Sequence, residues 1–291
     1  MAVAALLACN ALTGAGDLVA VDCVDGCDAA APERTIVAEA EAPIDAGGTV
    51  DATEPVDAGA DAPTRPSFCE GITFYLPFDG SLTAKSGQLP DAPPAVAFVP
   101  GKFGQGADLT VPGGISIFYA ATYLSKASYS LTQGSVAMWV KPTWQPPASN
   151  ASVFFKPRAI RASTSPNAGP VLEYGSLLGL TVDEPDGGLI SVGHPAAAVP
   201  NWKAADWNHL VGTWSSSSPT LQFSLNGAAP LATSTPWVPN ESPVNFLRLG
   251  SDVSAPRSIF DEVILWTRVL SASEIAAVAS SSASASVACG L

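Results

Sequence analysis

Charge is in short supply in this chain: 13% of its 291 residues are Asp, Glu, Lys or Arg, against about 25% in ordinary soluble domains. Long helices with a charged outer face have too little to draw on. Short strands joined by the 25 Gly and 26 Pro fit better. Basic residues are scarcer still, and they form no patch of the kind that nucleic-acid binding requires. No apolar run approaches the roughly 18 residues of a membrane-spanning helix. Histidine occurs only at His194 and His209, and no Gly-rich phosphate loop is present. Aromatics are missing from the first 67 residues altogether, since every Trp, Tyr and Phe lies at Phe68 or later.

That last absence divides the chain. The net charge is −13, and most of it sits between Asp22 and Pro66, where eleven acidic residues face two basic ones. From Phe68 onward the numbers are fourteen and eleven. A segment rich in Ala, Asp, Pro and Gly, without aromatics, cannot offset its ordering entropy by burial. Residues 28–67 therefore read as a disordered, self-repelling acidic linker. Residues 68–291 read as the folded part, which is nearly neutral.

Five cysteines bear on compartment. The run Leu6-Leu7-Ala8-Cys9 resembles the lipobox of bacterial lipoproteins. That resemblance implies export, lipidation of Cys9, and attachment to the membrane through the lipid alone, at the outer surface or in the periplasm. The chain departs from the pattern upstream, where it has no basic residue and only a short apolar run. Residues 1–27 thus form a lipoprotein-like export segment. Cys23 and Cys27 flank an Asp25-Gly26 turn and can close a small loop. Cys69 and Cys289 stand at the two ends of the folded part, where a bridge would staple adjacent termini. Closing so long a loop contributes about 5 kcal/mol in the chain-entropy model. A C-x3-C spacing with no histidine nearby is poor for zinc.

From Cys69 on, one strand pattern follows another. Ile72–Leu76 opens the series and Pro77-Phe78-Asp79-Gly80 ends it in a turn. Residues 134–141 alternate, with Val136, Met138 and Val140 on one face and Ala137 and Trp139 on the other. Further strands are expected at 153–155, 177–182, 189–192, 208–214, 220–225 and 245–249. Asn226-Gly227 is a hairpin signal. Residues 259–266 carry large side chains on both faces and should be central. Ser271 to Glu274 spells a capping box that should start a short C-terminal helix. The expectation is an all-β fold, a two-sheet antiparallel jelly-roll sandwich with that one helix.

The motif order resembles the laminin-G-like jelly rolls of the concanavalin A-like lectin/glucanase superfamily. The matching pieces are "LPFDGSLTAKSG", "PGKFGQGADLTV", "GSVAMWVKP", "WNHLVGTW", "LQFSLNG", "LRLGSD" and "FDEVILWTRVLSASEIAAV". The resemblance implies sugar binding, protein binding or polysaccharide cleavage, among which fold does not decide. The glucanase members carry a Glu-x-Asp-x-x-Glu strand that this sequence lacks. Asp183-Glu184-Pro185-Asp186 reads as a turn. Asp261 and Glu262, adjacent on a strand, should face opposite ways. His209 sits in a core-like setting and His194 in a loop. The resemblance also implies calcium where "FDG" approaches "DEV", which here means Asp79 and Asp261. Trp139, Trp214 and Trp266 belong to strands and to the core. Trp144, Trp202 and Trp237 lie in Pro- and Asn-rich loops, either as a ligand platform or as lids over the sandwich edge. The function expected is a non-catalytic module binding a glycan or a surface protein at the cell envelope. The alternative is a structural spacer, and a polysaccharide-cleaving enzyme ranks third.

Overall fold

The computed structural model describes residues 65–111, 114–148, 151–159, 169–218, 220–239, 243–251 and 257–291. These fall within one unit, Ala60–Leu291. The expectations for Cys9, Cys23, Cys27 and the linker as far as residue 64 lie outside the described residues.

Two antiparallel sheets make the sandwich. The strands in chain order are β1 (Ile72–Leu76), β2 (Ala97–Pro100), β3 (Gln105–Asp108), β4 (Ile115–Ala120), β5 (Thr122–Tyr123), β6 (Lys126–Ala127), β7 (Gln133–Pro142) and β8 (Ser152–Arg158). They continue with β9 (Val171–Tyr174), β10 (Leu177–Asp183), β11 (Leu189–Pro195), β12 (Asn208–Ser215), β13 (Thr220–Leu225), β14 (Leu231–Thr233), β15 (Phe246–Ser251) and β16 (Ser258–Trp266). The eight-stranded sheet runs β14-β13-β12-β7-β16-β3-β2, with β1 also paired to β16. The six-stranded sheet runs β11-β10-β9-β8-β15-β4, and β5 and β6 form a small separate ribbon. β16 is central, as its large side chains on both faces require.

Side-chain alternation decides what lies between the sheets. Val136, Met138 and Val140 of β7 point inward and are fully buried, beside Leu210, Phe260 and Leu265 of the neighbouring strands. The other sheet answers with Phe155, Leu172, Leu180, Leu247 and Leu249. The outer face of the eight-stranded sheet carries a second apolar layer. Tyr75, Ala137, Val211, Ile264 and Trp266 pack there under two short helices, α1 (Ala272–Ser280) and α2 (Ala285–Cys289).

α1 starts at the expected capping box. The Ser271 hydroxyl accepts from the Glu274 N–H, and Glu274 Oε2 accepts from the Ser271 N–H at 2.9 Å. Arg268 grips the same carboxylate at 2.7 and 3.0 Å, and those bonds pull the Glu274 carboxyl down to about 2. Ile275 and Val278 turn into the second layer. α2, capped by Ser284, is an addition to the expected single helix. Its last residue closes the Cys69–Cys289 disulfide across 220 positions, with the Cα atoms 5.3 Å apart.

Candidate functional site

The last strand does not alternate where its two carboxylates lie. Asp261 pairs with Trp139 and Ile264 with Ala137, so β16 spends one residue more than β7 between those pairs, and Glu262 takes a positive φ of 51°. That is a β-bulge. It corrects the expectation of opposite faces, because the extra residue lets both side chains lie on the outer side of the sheet. Each then anchors a separate piece of chain. Asp261, fully buried, accepts the N–H groups of Lys102 and Phe103 at 2.7 and 2.9 Å through Oδ2, and that of Glu262 at 2.9 Å through Oδ1. Glu262 accepts from the Tyr75 hydroxyl and from the Ala285 N–H, both at 2.8 Å, which pins the start of α2. Burial pushes the Asp261 carboxyl up to about 8 against those N–H groups, and burial raises Glu262 as well.

Asp79 reaches the same β2–β3 turn as Asp261. Its Oδ1 accepts from the Gln105 N–H at 3.0 Å. The turn must be glycine at both ends, since a Cβ on Gly101 would stand 2.6 Å from Asp261 Oδ2 and one on Gly104 would overlap Asp79 Oδ1. The two carboxylates are therefore brought to one turn, with peptide N–H groups aimed at them. Calcium asks for converging oxygens. Three N–H donors converge on Asp261 and one on Asp79 Oδ1, so what the turn presents between the two carboxylates is peptide N–H groups rather than the further oxygens of a calcium shell. Among the described residues no group of three or more His, Cys, Asp or Glu could hold a metal.

The loop tryptophans resolve toward the lid alternative. Trp202 is 5% exposed and Trp237 is 3%, both inside the main core. Trp144 is half-buried between Tyr174 and Trp202, at ring distances of 4.5 and 4.8 Å, and its carbonyl accepts the Trp202 indole N–H at 3.2 Å. As exposed platforms Trp202 and Trp237 are corrected, since the open edge of the sandwich buries them more favourably than water does.

An aromatic platform exists elsewhere, on the outer face of the eight-stranded sheet. Between the β2–β3 turn, the loop before β12 and α1 lies a cleft of about 480 Å³. Trp139 and Trp207 line it together with Lys102, Asn201, Lys203 and Asp206, and Asn226 and Ala279 close its sides. The loop is fixed from below. Buried Asn208 accepts the Lys203 N–H at 3.0 Å and donates to the carbonyls of Lys203 and Asp206 at 2.9 and 3.1 Å. The Asn226 amide donates to the Asn201 carbonyl at 3.0 Å. Trp207 is half-buried at the rim. Trp139 lies deeper, packed at a tilt of 46° against the His209 ring with centroids 4.7 Å apart, and with the Lys102 ammonium 4.4 Å above its own ring. Burial, and after it the Lys102 charge, lower His209 to about 3. Its imidazole is neutral and packs as part of the floor.

Sequence reasoning missed Trp207, while Trp139 is buried as expected, at 8% exposure, and meets the cleft from beneath. The available signal was "WNH" at the head of β12, where a polar clamp residue follows a tryptophan that need not enter the sheet.

The sequence profile of the concanavalin A-like lectin/glucanase superfamily, laminin-G type, matches residues 119–276. No curated protein sequence matches the chain. Among solved structures, the receptor-binding domain of botulinum neurotoxin type G is similar at 13% identity and a TM-score of 0.53, over 72% of this chain and 51% of that one. The ligand-binding domain of botulinum neurotoxin serotype D, in complex with N-acetylneuraminic acid, is similar at 14% and 0.54, over 73% and 52%. Domain 4 of the extracellular arabinanase AbnA from Geobacillus stearothermophilus, in complex with arabinotriose, is similar at 19% and 0.50, over 72% and 98%. The chain thus spans about half the length of the neurotoxin domains. At these identities the likeness establishes the fold alone.

Proposed function

Because this chain belongs to the concanavalin A-like lectin/glucanase superfamily, whose profile covers more than half of it, we propose that it is a non-catalytic glycan-binding module whose site is the Trp139–Trp207 cleft. The observation that carries this reading is the lining of that cleft: an accessible indole beside amide, ammonium and carboxylate groups on a loop clamped by Asn208. Sugars present a C–H face and a rim of hydroxyls, which calls for an aromatic surface with a few fixed polar groups. Glycoside hydrolysis calls for two carboxyls flanking the scissile bond. Among the residues lining this cleft Asp206 is the sole carboxylate, and it is ion-paired with Lys203 at 3.9 Å.

The glycan-bound neurotoxin and arabinanase domains support the reading as examples of glycan binding on this fold. Display at the cell envelope through lipidated Cys9 and the acidic linker is the matching proposal for location. A glycan array with the full chain tests the function. Binding that Trp207→Ala abolishes is expected. An array without signal, or signals indifferent to Trp207→Ala, removes the assignment and leaves the spacer alternative.

A further inference from the structure

The charge in the cleft sharpens its ligand class, on the premise that the cleft is the binding site just proposed. Lys102 stands on a turn whose main chain is held by Asp261, at 2.7 Å from its own N–H. Its ammonium rests over the Trp139 ring at 4.4 Å and 5.8 Å from the Phe103 ring. Neither partner neutralises it, and among the described residues no carboxylate forms an ion pair with Lys102. The second lysine of the cleft, Lys203, shares Asp206 in a long and exposed pair at 3.9 Å, a contact worth little to either partner. The His209 ring beneath Trp139 stays neutral and adds no charge of either sign. The cleft therefore carries two ammonium groups against one carboxylate, on a chain whose net charge is −13.

A preformed cationic spot beside an indole face is poorly used by a neutral sugar. We infer that the cleft selects carboxylated glycans, with the sugar acid directed to Lys102, a C–H face to Trp207, and hydroxyls to Asn201 and Asp206. Trp139 has a positioning part, since its ring holds the ammonium toward the cleft mouth by a cation–π contact. Lys102 thereby loses less side-chain freedom on binding than an unsupported lysine.

The test is calorimetric titration of the full chain with trigalacturonate and with 3′-sialyllactose, each beside its neutral methyl ester. The acids should bind about tenfold more tightly than their esters, the equivalent of one charge-assisted hydrogen bond. That ratio should shrink in high salt as the exposed charges are screened. Lys102→Gln should bring the ratio close to one, whereas Lys126→Gln, on the β5–β6 ribbon away from the cleft, should leave it intact. Esters that bind as well as the acids overturn the acidic selection and leave the glycan site standing. A preference that survives Lys102→Gln places the carboxylate elsewhere and also overturns it. If none of the four probes binds, the inference falls. The array result with Trp207→Ala then decides separately whether the site itself falls with it.

Discussion

Trp202 and Trp207 sit five positions apart in one loop and have opposite surroundings. Trp202 turns under the edge of the sandwich, bonds the Trp144 carbonyl and joins the main core. Trp207 turns to the outer face of the eight-stranded sheet and stays half-buried beside the open cleft. Identical side chains in similar Pro- and Asn-rich surroundings thus take a structural and a surface position. What differs is the cover. Among the described residues no helix covers the sandwich edge, which takes its lid from the loop, whereas the outer face is covered by α1 and α2 only as far as Ala279.

The comparison breaks first under truncation. Trp202→Ala should cost about 3–5 kcal/mol, as deletion of a buried aromatic does. Trp207→Ala should cost less than about 1 kcal/mol, as a surface change does. Urea unfolding curves of the two variants measure the difference, and equal losses would make Trp207 part of the core.

The outer layer is next. Cys69→Ser frees α2 from the entry turn and should remove about 2–5 kcal/mol. The inner core should keep its strands, which far-ultraviolet circular dichroism can follow.

A smaller effect is expected at the polar anchors. Asp261→Asn turns an NH₂ group toward peptide N–H donors and should cost about 1–3 kcal/mol. It should also change the pH dependence. The Asp261 carboxyl is raised from 3.8 to about 8 in the folded state, so the fold holds a proton that the unfolded chain releases. Its contribution is complete below pH 3.8 and is lost as the pH rises through 8. Glu262, raised by burial, acts in the same direction. Glu274, lowered to about 2 by Arg268, acts the opposite way, its contribution lost as the pH falls below about 4.5 toward 2. Thermal melts between pH 5 and 9 should therefore slope downward in the wild type and less steeply in Asp261→Asn. The smallest effect is expected from EDTA, which should leave the melting temperature where it was. A rise with added calcium, lost in Asp79→Asn, would return a cation to the β2–β3 turn.

Strands with a clean two-residue period were legible in the sequence, as β7, β12 and β13 demonstrate, and so was the capping box of α1. β2 and β3 were not. Their four-residue runs, Ala-Phe-Val-Pro and Gln-Gly-Ala-Asp, offer too few apolar positions to establish a period; register with β16 places β3, and β3 in turn places β2. α2 was hidden in a Ser/Ala tail, where its helical state depends on Glu262 and the disulfide, both remote in sequence. At the site, the two-residue rule misjudged Asp261 and Glu262 because a bulge is a property of paired strands. The loop tryptophans stayed open between platform and lid because loop membership does not reveal which face of the fold a loop leaves open.

The disulfide gives the fold a mechanical character. Cys69 precedes β1, and Cys289 ends the helix whose first amide is tied to Glu262 on β16. A pull on the chain from its N-terminal side therefore meets a covalent knot before it meets a hydrogen bond of the sheet. Arg268, which donates to the Ser67 and Glu70 carbonyls at 3.0 Å each, and the Trp266 indole on the Phe68 carbonyl at 2.8 Å share that load directly with the end of β16. Tension is thus divided between the first and last strands of the fold, and β1 cannot be peeled away alone.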